Sequence, residues 1–168
     1  MAAFAAHGTA VANPGSESIS GAFPTEQEIS AAIDTYVLHD NGRELFDAVG
    51  AENDRVDQRI IDVGAMYNAM IDPAETSGDG ADRIPNLQNR WRYCGKNNSG
   101  PGAPLNSADA ACKRHDECLA SGKAYCWCDT QFVYDLRRIR NHYSGVDRVY
   151  IEAAIQAVPR YHGCAIPA

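Results

Sequence analysis

The chain has no surplus of positive charge and no long apolar run, and each absence excludes a class of protein. Its 22 aspartate and glutamate residues outnumber its 15 lysine and arginine residues, which leaves a net charge of −7. Such a charge argues against a nucleic-acid partner and against strong electrostatic attraction to an anionic membrane. No stretch approaches the ~20 apolar residues of a transmembrane helix. Strand signals are few, no repeat is visible, and the GxSxG motif of serine hydrolases is missing.

The composition predicts one globular domain behind a flexible leader. Hydrophobic residues make up 45 % of the chain and charged residues 22 %, which are values typical of folded proteins. The 168 residues are enough to enclose a core. Residues 1–24, rich in Ala, Gly and Ser, predict the leader, and residues 25–168 the domain. A separate binding module formed by the N-terminal helices is the alternative.

Helical patterns cover most of the predicted domain. Thr25 and Glu28 form a capping box before apolar residues at helical spacing, and Asp40-Asn41-Gly42 ends that helix. The N-terminal helices at 25–72 would complete or shield a core at 91–141, followed by a C-terminal helix and tail at 146–168. The other predicted segments are helices over 43–49, 53–71 and 146–158, the last closed by Pro159, and a polar loop over 73–88.

Most of the residues that could form a functional site lie between Ser107 and Asp129. Apolar and functional residues recur here at helical spacing, and Gly122 marks a tight turn before a second helix that runs from Tyr125 to about Asn141. His115 lies seven residues before Gly122, and Asp129 lies seven after it. Two antiparallel helices therefore bring this imidazole and this carboxylate face to face.

Such a pair can activate water. A carboxylate that binds one ring nitrogen of His115 fixes its tautomer and makes the other nitrogen a better general base. Asp116 follows His115 and can enter the same cleft, where it suits a hard cation. The Gly- and Pro-rich loop from Trp91 to Pro104 can supply backbone carbonyls, and calcium takes six to eight oxygen ligands of these kinds.

These motifs resemble one family. The order YCG, a Gly/Pro loop, DAACxxHDxC and CxCD is similar to that of the secreted, calcium-dependent phospholipases A2, and the likeness spans Trp91 to Leu136. It implies a mainly α fold, a disulfide-stapled core of two antiparallel helices with extra N-terminal helices. It also implies His115 as general base, Asp129 as the acid that orients it, and Asp116 as a calcium ligand. The loop carbonyls implied as further ligands are those of Tyr93, Gly95 and Asn97.

The chain departs from the family pattern in ways that affect the site. Its calcium loop is two residues longer than the commonest form, so the third carbonyl could come from Asn97, Asn98 or Ser99. A tyrosine that commonly helps to hold the orienting acid is replaced by Leu119. Asp129 therefore needs another partner.

Six cysteines, an even number, suit three disulfides in an oxidising compartment, with 15 possible connectivities. The resemblance implies the pairs Cys94–Cys112 and Cys118–Cys128, which leaves Cys126 with Cys164. The rival hypothesis is a zinc site. Its candidate ligands are Cys112, His115, Cys118, Cys126 and Cys128.

The resemblance implies a secreted, monomeric enzyme that hydrolyses the sn-2 ester of glycerophospholipids at a membrane or micelle surface. A non-catalytic binding protein or toxin subunit of the same type is the alternative. The remaining histidines lack the set of converging acids and loop that surrounds His115, and they are predicted at the surface: His7, His39, His142 and His162. Arg137, Arg138 and Arg140 predict a solvated face that could touch lipid phosphates. Trp91 and Trp127 suit either an interfacial anchor or core packing.

Overall fold

The computed structural model of the chain describes residues 21–40, 42–71, 90–95, 98 and 100–167. The expected leader up to residue 20, the polar loop at 73–88 and the proposed ligand Asn97 lie outside these residues. The described part is mainly helical, as predicted, with one small antiparallel sheet. Its elements are α1 (Glu26–Tyr36), β1 (Val37–Asp40), β2 (Arg43–Phe46), α2 (Ala48–Asn53), α3 (Gln58–Ile71), α4 (Ser107–Ala120), α5 (Tyr125–Ile139), a 3-10 turn (Arg140–His142) and α6 (Gly145–Tyr161).

Helix α1 begins with the predicted capping box but ends earlier than predicted. The Thr25 hydroxyl accepts a hydrogen bond from the Glu28 amide at 3.2 Å, and Glu28 Oε2 accepts one from the Thr25 amide at 2.7 Å. The helix stops at Tyr36 rather than at residue 40, because the chain enters a β-hairpin whose register pairs Val37 with Phe46. Gly42, which precedes β2, has a φ of +78°, a conformation that favours glycine.

The helix predicted over 43–49 is wrong, since Arg43–Phe46 is strand β2. A distant residue explains the difference. The Asn68 side chain on α3 accepts from the Phe46 amide at 2.7 Å and donates to the Phe46 carbonyl at 2.9 Å, so it replaces the partners that a helix would provide. Asp47 then caps α2 by accepting from the Gly50 amide.

The predicted helix at 53–71 also starts later than expected. Asn53 ends α2, and the turn that follows contains Arg55 at a φ of +59°. Helix α3 then runs from Gln58 to Ile71, which agrees with the predicted end. Helices α1, α3, α4, α5 and α6 contribute to one buried apolar cluster, for example through Ile33, Val63, Ala111, Val133 and Ile155.

The hairpin of α4 and α5 has the predicted turn, where Gly122 adopts a φ of +77°. Helix α6 is longer than predicted, because Pro159 lies within its last turn and does not end it. The Pro159 carbonyl accepts hydrogen bonds from the amides of His162 and Cys164, which close the end of the helix. Within the described ranges, no helix is long and apolar enough to cross a bilayer.

All six cysteines are in disulfides, and the pairs are those that the resemblance implied: Cys94–Cys112, Cys118–Cys128 and Cys126–Cys164. The first joins the Gly/Pro loop to α4, the second crosses the hairpin, and the third joins the C-terminal tail to α5. Because no thiol remains free, the zinc hypothesis is wrong.

The prediction of a solvated arginine face needs correction, and the choice left open for Trp91 is decided in favour of core packing. Arg137 and Arg140 both bind Glu26 of α1, so they are part of an ion-pair cluster rather than a solvated face; Arg138 is exposed. Trp91 is a core residue that is 1 % exposed and stacks on Tyr150 at 5.3 Å between ring centroids. Trp127 is exposed and remains available for an interfacial role.

Candidate active site

His115 and Asp129 meet across the hairpin, as their spacing about Gly122 predicted. The His115 Nε2 atom lies 2.7 Å from Asp129 Oδ1. The Asp129 side chain is only 1 % exposed and that of His115 is 11 % exposed. The His115 ring also stacks on Phe132 at 4.6 Å between centroids, which fixes its plane. With Nε2–H donated to the carboxylate, Nδ1 keeps a free lone pair and can accept a proton.

The second oxygen of Asp129 is bound by His162, which sequence reasoning had assigned to the surface. His162 Nδ1 lies 2.8 Å from Asp129 Oδ2, so this carboxylate is held between two imidazoles. His162 thus provides the further partner that Asp129 needs in the absence of the tyrosine. One signal could have found it: the implied Cys126–Cys164 bridge joins a cysteine three residues before Asp129 to one two residues after His162.

The surroundings of Asp116 are those expected of a cation ligand. Its Oδ2 atom is buried and has no hydrogen-bond partner among the described residues. Burial raises the pKa of the Asp116 carboxyl above its usual value, against the opposing effect of a charged His115, because a charge there loses its hydration. An unpaired buried carboxylate is costly, and a bound cation would remove that cost.

The Gly/Pro loop is held against α4 by Asp109. Its Oδ1 atom accepts from the amides of Arg92 and Tyr93 at 2.9 and 2.7 Å, and its Oδ2 atom accepts from the amide of Leu105 at 2.9 Å. Because these bonds fix the backbone at Tyr93, they set the position of that residue relative to α4. Asp109 is therefore a structural anchor of the loop.

Tyr93 and Gly95 line the same cavity as His115 and Asp116. Gly95 has a φ of +101°, a conformation that favours glycine. Its carbonyl accepts a hydrogen bond from the Asn98 amide at 3.2 Å, and a carbonyl with two lone pairs can still bind a cation. In the part of the chain that the structure describes, no group of three His, Cys, Asp or Glu side chains is arranged for a metal. A site made of one carboxylate and several carbonyls would contain no such group.

The cavity itself has a volume of about 330 Å³ and joins the polar residues to an apolar lining. His115 and Asp116 lie among mostly apolar side chains. These are Met66, Ala69, Met70, Leu119, Phe132, Ala154 and Val158. Such a lining can hold a hydrocarbon chain beside the imidazole.

Comparisons of the chain with protein-family models, curated proteins and solved structures found no match. The functional interpretation therefore depends on the residues of the site. They provide a histidine with one nitrogen held by a buried carboxylate, a second carboxylate suited to a cation, and an apolar cavity next to both. Together they can activate water for attack on an ester of an apolar acid.

Proposed function

We propose that this protein is a secreted, calcium-dependent phospholipase A2 that cleaves the sn-2 ester of glycerophospholipids. The observation that carries the proposal is the convergence of the His115–Asp129 pair and the unpartnered Asp116 oxygen on one apolar-lined cavity. Three disulfides are compatible with an extracellular protein. The enzyme would act as a monomer at the surface of a membrane or micelle.

The reaction needs one proton to move twice. His115 Nδ1 removes a proton from water as the water oxygen attacks the ester carbonyl carbon. The tetrahedral centre then collapses, the bond to the glycerol oxygen breaks, and the proton passes from His115 to that leaving oxygen. The products are a fatty acid and a lysophospholipid, so atoms and charges balance without a covalent acyl-enzyme.

Asp129 supports both proton transfers from a fixed position. Its Oδ1 atom holds the Nε2–H tautomer of His115, which leaves Nδ1 as the base. As His115 becomes an imidazolium, the carboxylate stabilises the new charge. The contact is strong because Asp129 is almost fully removed from solvent.

Calcium fits the remaining donors. The Asp116 carboxylate and the carbonyls of Tyr93 and Gly95 would hold it, and Asn97, outside the described residues, is the proposed third carbonyl donor. When bound, calcium supplies Lewis-acid polarisation of the ester carbonyl and stabilises the negative charge on its oxygen.

The proposal is tested by fatty-acid release from phosphatidylcholine vesicles. We expect release with millimolar calcium and none with excess chelator, and positional analysis should show that only the sn-2 acyl chain is freed. The Glu117→Gln variant is the matched control, because Glu117 adjoins Asp116 on α4 but is 64 % exposed. No release by the wild type, or full release in chelator, would contradict the proposal.

A further inference from the structure

Asp129 lies between two imidazoles that come from distant parts of the chain. His115 on α4 binds one carboxylate oxygen at 2.7 Å, and His162 after α6 binds the other at 2.8 Å. Among the described residues, no third side chain forms a hydrogen bond with Asp129. A carboxylate that is 1 % exposed therefore depends on these two donors for all of its side-chain hydrogen bonds.

The structure holds the His162 ring from several directions. Its face stacks on Tyr125 at 4.6 Å between centroids, and its edge meets Tyr161 at 5.3 Å. The backbone amide of His162 donates to the Pro159 carbonyl. The Cys126–Cys164 disulfide then fastens the segment to α5, one turn before Asp129. Such a set of contacts fixes where Nδ1 lies relative to Asp129.

Hydrogen-bond chemistry sets the roles of the two rings. An ionised carboxylate only accepts, so each imidazole must present an N–H to it. For His162 that hydrogen is on Nδ1, and for His115 it is on Nε2. Occupation of Oδ2 by His162 stops the carboxylate from rotating and leaves Oδ1 directed at His115. The contact between His162 and Asp129 therefore affects Nδ1 of His115, because the tautomer of His115 decides whether Nδ1 can act as a base.

We propose that His162 is a positioning residue of the catalytic pair: it holds Asp129 and, through it, the tautomer and orientation of His115. The role of the held pair in ester hydrolysis rests on the function proposed above. The positioning itself is a property of the three side chains and can be measured without turnover.

Two substitutions distinguish the contribution of the His162 N–H donor from that of the His162 ring. His162→Phe keeps the stack on Tyr125 and removes the N–H. His162→Asn removes the ring, but its amide nitrogen occupies nearly the place of Nδ1 and still donates. The matched control is His142→Phe, the same substitution at an exposed histidine in the 3-10 turn. Should His162→Phe fail to fold, His162→Gln replaces it, since its amide nitrogen lies too far along the side chain to reproduce the bond.

The kinetic expectation is a loss in kcat with little change in KM. Removing a group that orients a catalytic ligand or base typically costs ~10–100-fold in activity, so His162→Phe should lower kcat by about tenfold or more. KM for monomeric short-chain phosphatidylcholine should stay within about twofold, because His162 acts through Asp129. His162→Asn should recover most of kcat, and His142→Phe should match the wild type.

The spectroscopic expectation does not depend on activity. In protein labelled with ¹⁵N in its imidazoles, the neutral His115 ring of the wild type should show a protonated Nε2 and an unprotonated Nδ1. His162→Phe should shift these signals toward a mixture of tautomers, and His162→Asn should restore them. Wild-type signals for His115 together with wild-type kcat in His162→Phe would overturn the inference. So would a loss of kcat that His162→Asn does not rescue and that leaves the His115 signals unchanged.

The two hypotheses can fail separately. If the wild type releases no fatty acid but the His115 signals respond to His162 as expected, the proposed function is wrong and the positioning role stands. If the wild type is active and the His115 signals do not change when His162 is substituted, the positioning role is wrong and the proposed function stands.

Discussion

At the scale of single residues, three aspartates near one cavity differ because their oxygens meet different partners. Asp109 accepts three backbone N–H groups and holds a loop. Asp129 accepts from two imidazoles and orients one of them. Asp116 has a buried oxygen that no described residue binds. The same side chain thus serves as anchor, orienting acid and candidate ligand, according to the donors that the fold brings to it.

The first residue-scale prediction compares the two members of the catalytic pair. His115→Gln should be essentially inactive, because water then has no base, yet it should bind calcium like the wild type. Asp129→Asn should lose less, within the ~10²–10⁴-fold range of general base catalysis, since an amide can still bind the ring but cannot stabilise an imidazolium. Initial rates and calcium titrations check both. Activity of His115→Gln would contradict the proposed mechanism. Full activity of Asp129→Asn would contradict the role of Asp129 in orienting His115.

A second prediction concerns the buried Asp116 oxygen. Without calcium, Asp116→Asn should melt at a higher temperature than the wild type. The substitution removes a desolvated charge, and the amide has nearly the shape of the carboxylate that it replaces. With calcium, the wild type should gain stability and the variant should not, since only the former binds the ion. Thermal melts with and without chelator check this, with Glu117→Gln as the control. A calcium-dependent shift of equal size in Asp116→Asn would contradict the ligand assignment.

The residues of the site differ in how far sequence could predict them. His115 and Asp129 are related by a short hairpin, so helical spacing about Gly122 was enough to pair them. His162 reaches Asp129 from 33 residues away, through a helix end and a disulfide. The spacing of residues along a single helix or hairpin cannot predict such a contact. Only two features together pointed to that segment: the missing tyrosine partner of Asp129 and the implied Cys126–Cys164 bridge.

At the scale of elements, the α4–α5 hairpin could be predicted and the β1–β2 hairpin could not. Both helices of the first carry apolar residues at helical spacing over three turns or more, and periodicity of that length is a strong signal. The strands of the second have four residues each. Strand β2 is stabilised by the Asn68 amide, a contact with a residue 22 positions away that local patterns do not contain.

An element-scale prediction follows from the bridge between α5 and the tail. The paired Cys126→Ala and Cys164→Ala substitutions should lower the free energy of unfolding by about 2–5 kcal/mol, as for other native disulfides of small domains. They should also lower kcat, since His162 loses its fixed position. Urea denaturation and initial rates check the two effects. An unchanged denaturation midpoint and unchanged kcat would show that the tail is held by its other contacts alone.

At the scale of the whole molecule, a cluster of charges connects the N-terminal helix to the catalytic part. Glu26 of α1 binds Arg137 of α5 and Arg140 of the following turn. Arg140 and Arg148 in turn bind Glu152, which is fully buried on α6. Because buried charges are tolerated only when paired, these contacts fix the relative positions of α1, α5 and α6. They also explain why Arg137 and Arg140, which predicted a solvated face, are half-buried while Arg138 is exposed.

The last prediction uses the pH dependence of this cluster. Burial opposes ionisation of Glu26, but the hydrogen bonds and charges of Arg137 and Arg140 outweigh it and hold its pKa below the usual value of 4.5. A carboxyl whose pKa is lowered by folding contributes stability above its unfolded pKa, and this contribution is lost as the pH falls through the folded pKa. Glu26→Gln should therefore destabilise the protein at pH 7 by about 1.5–3 kcal/mol, the usual contribution of a hydrogen bond to a charged group.

Thermal melts in chelator at pH 7 and near pH 3 check this, with Glu117→Gln as the exposed control. At pH 7 the Glu26→Gln variant should melt several degrees below the wild type, at ~2–4 °C per kcal/mol for a chain of this size. Near pH 3 the gap should narrow, because the wild-type carboxyl then begins to take up a proton and loses its attraction to the two arginines. A gap of the same size at both pH values would mean that Glu26 stabilises the fold through packing and not through its charge.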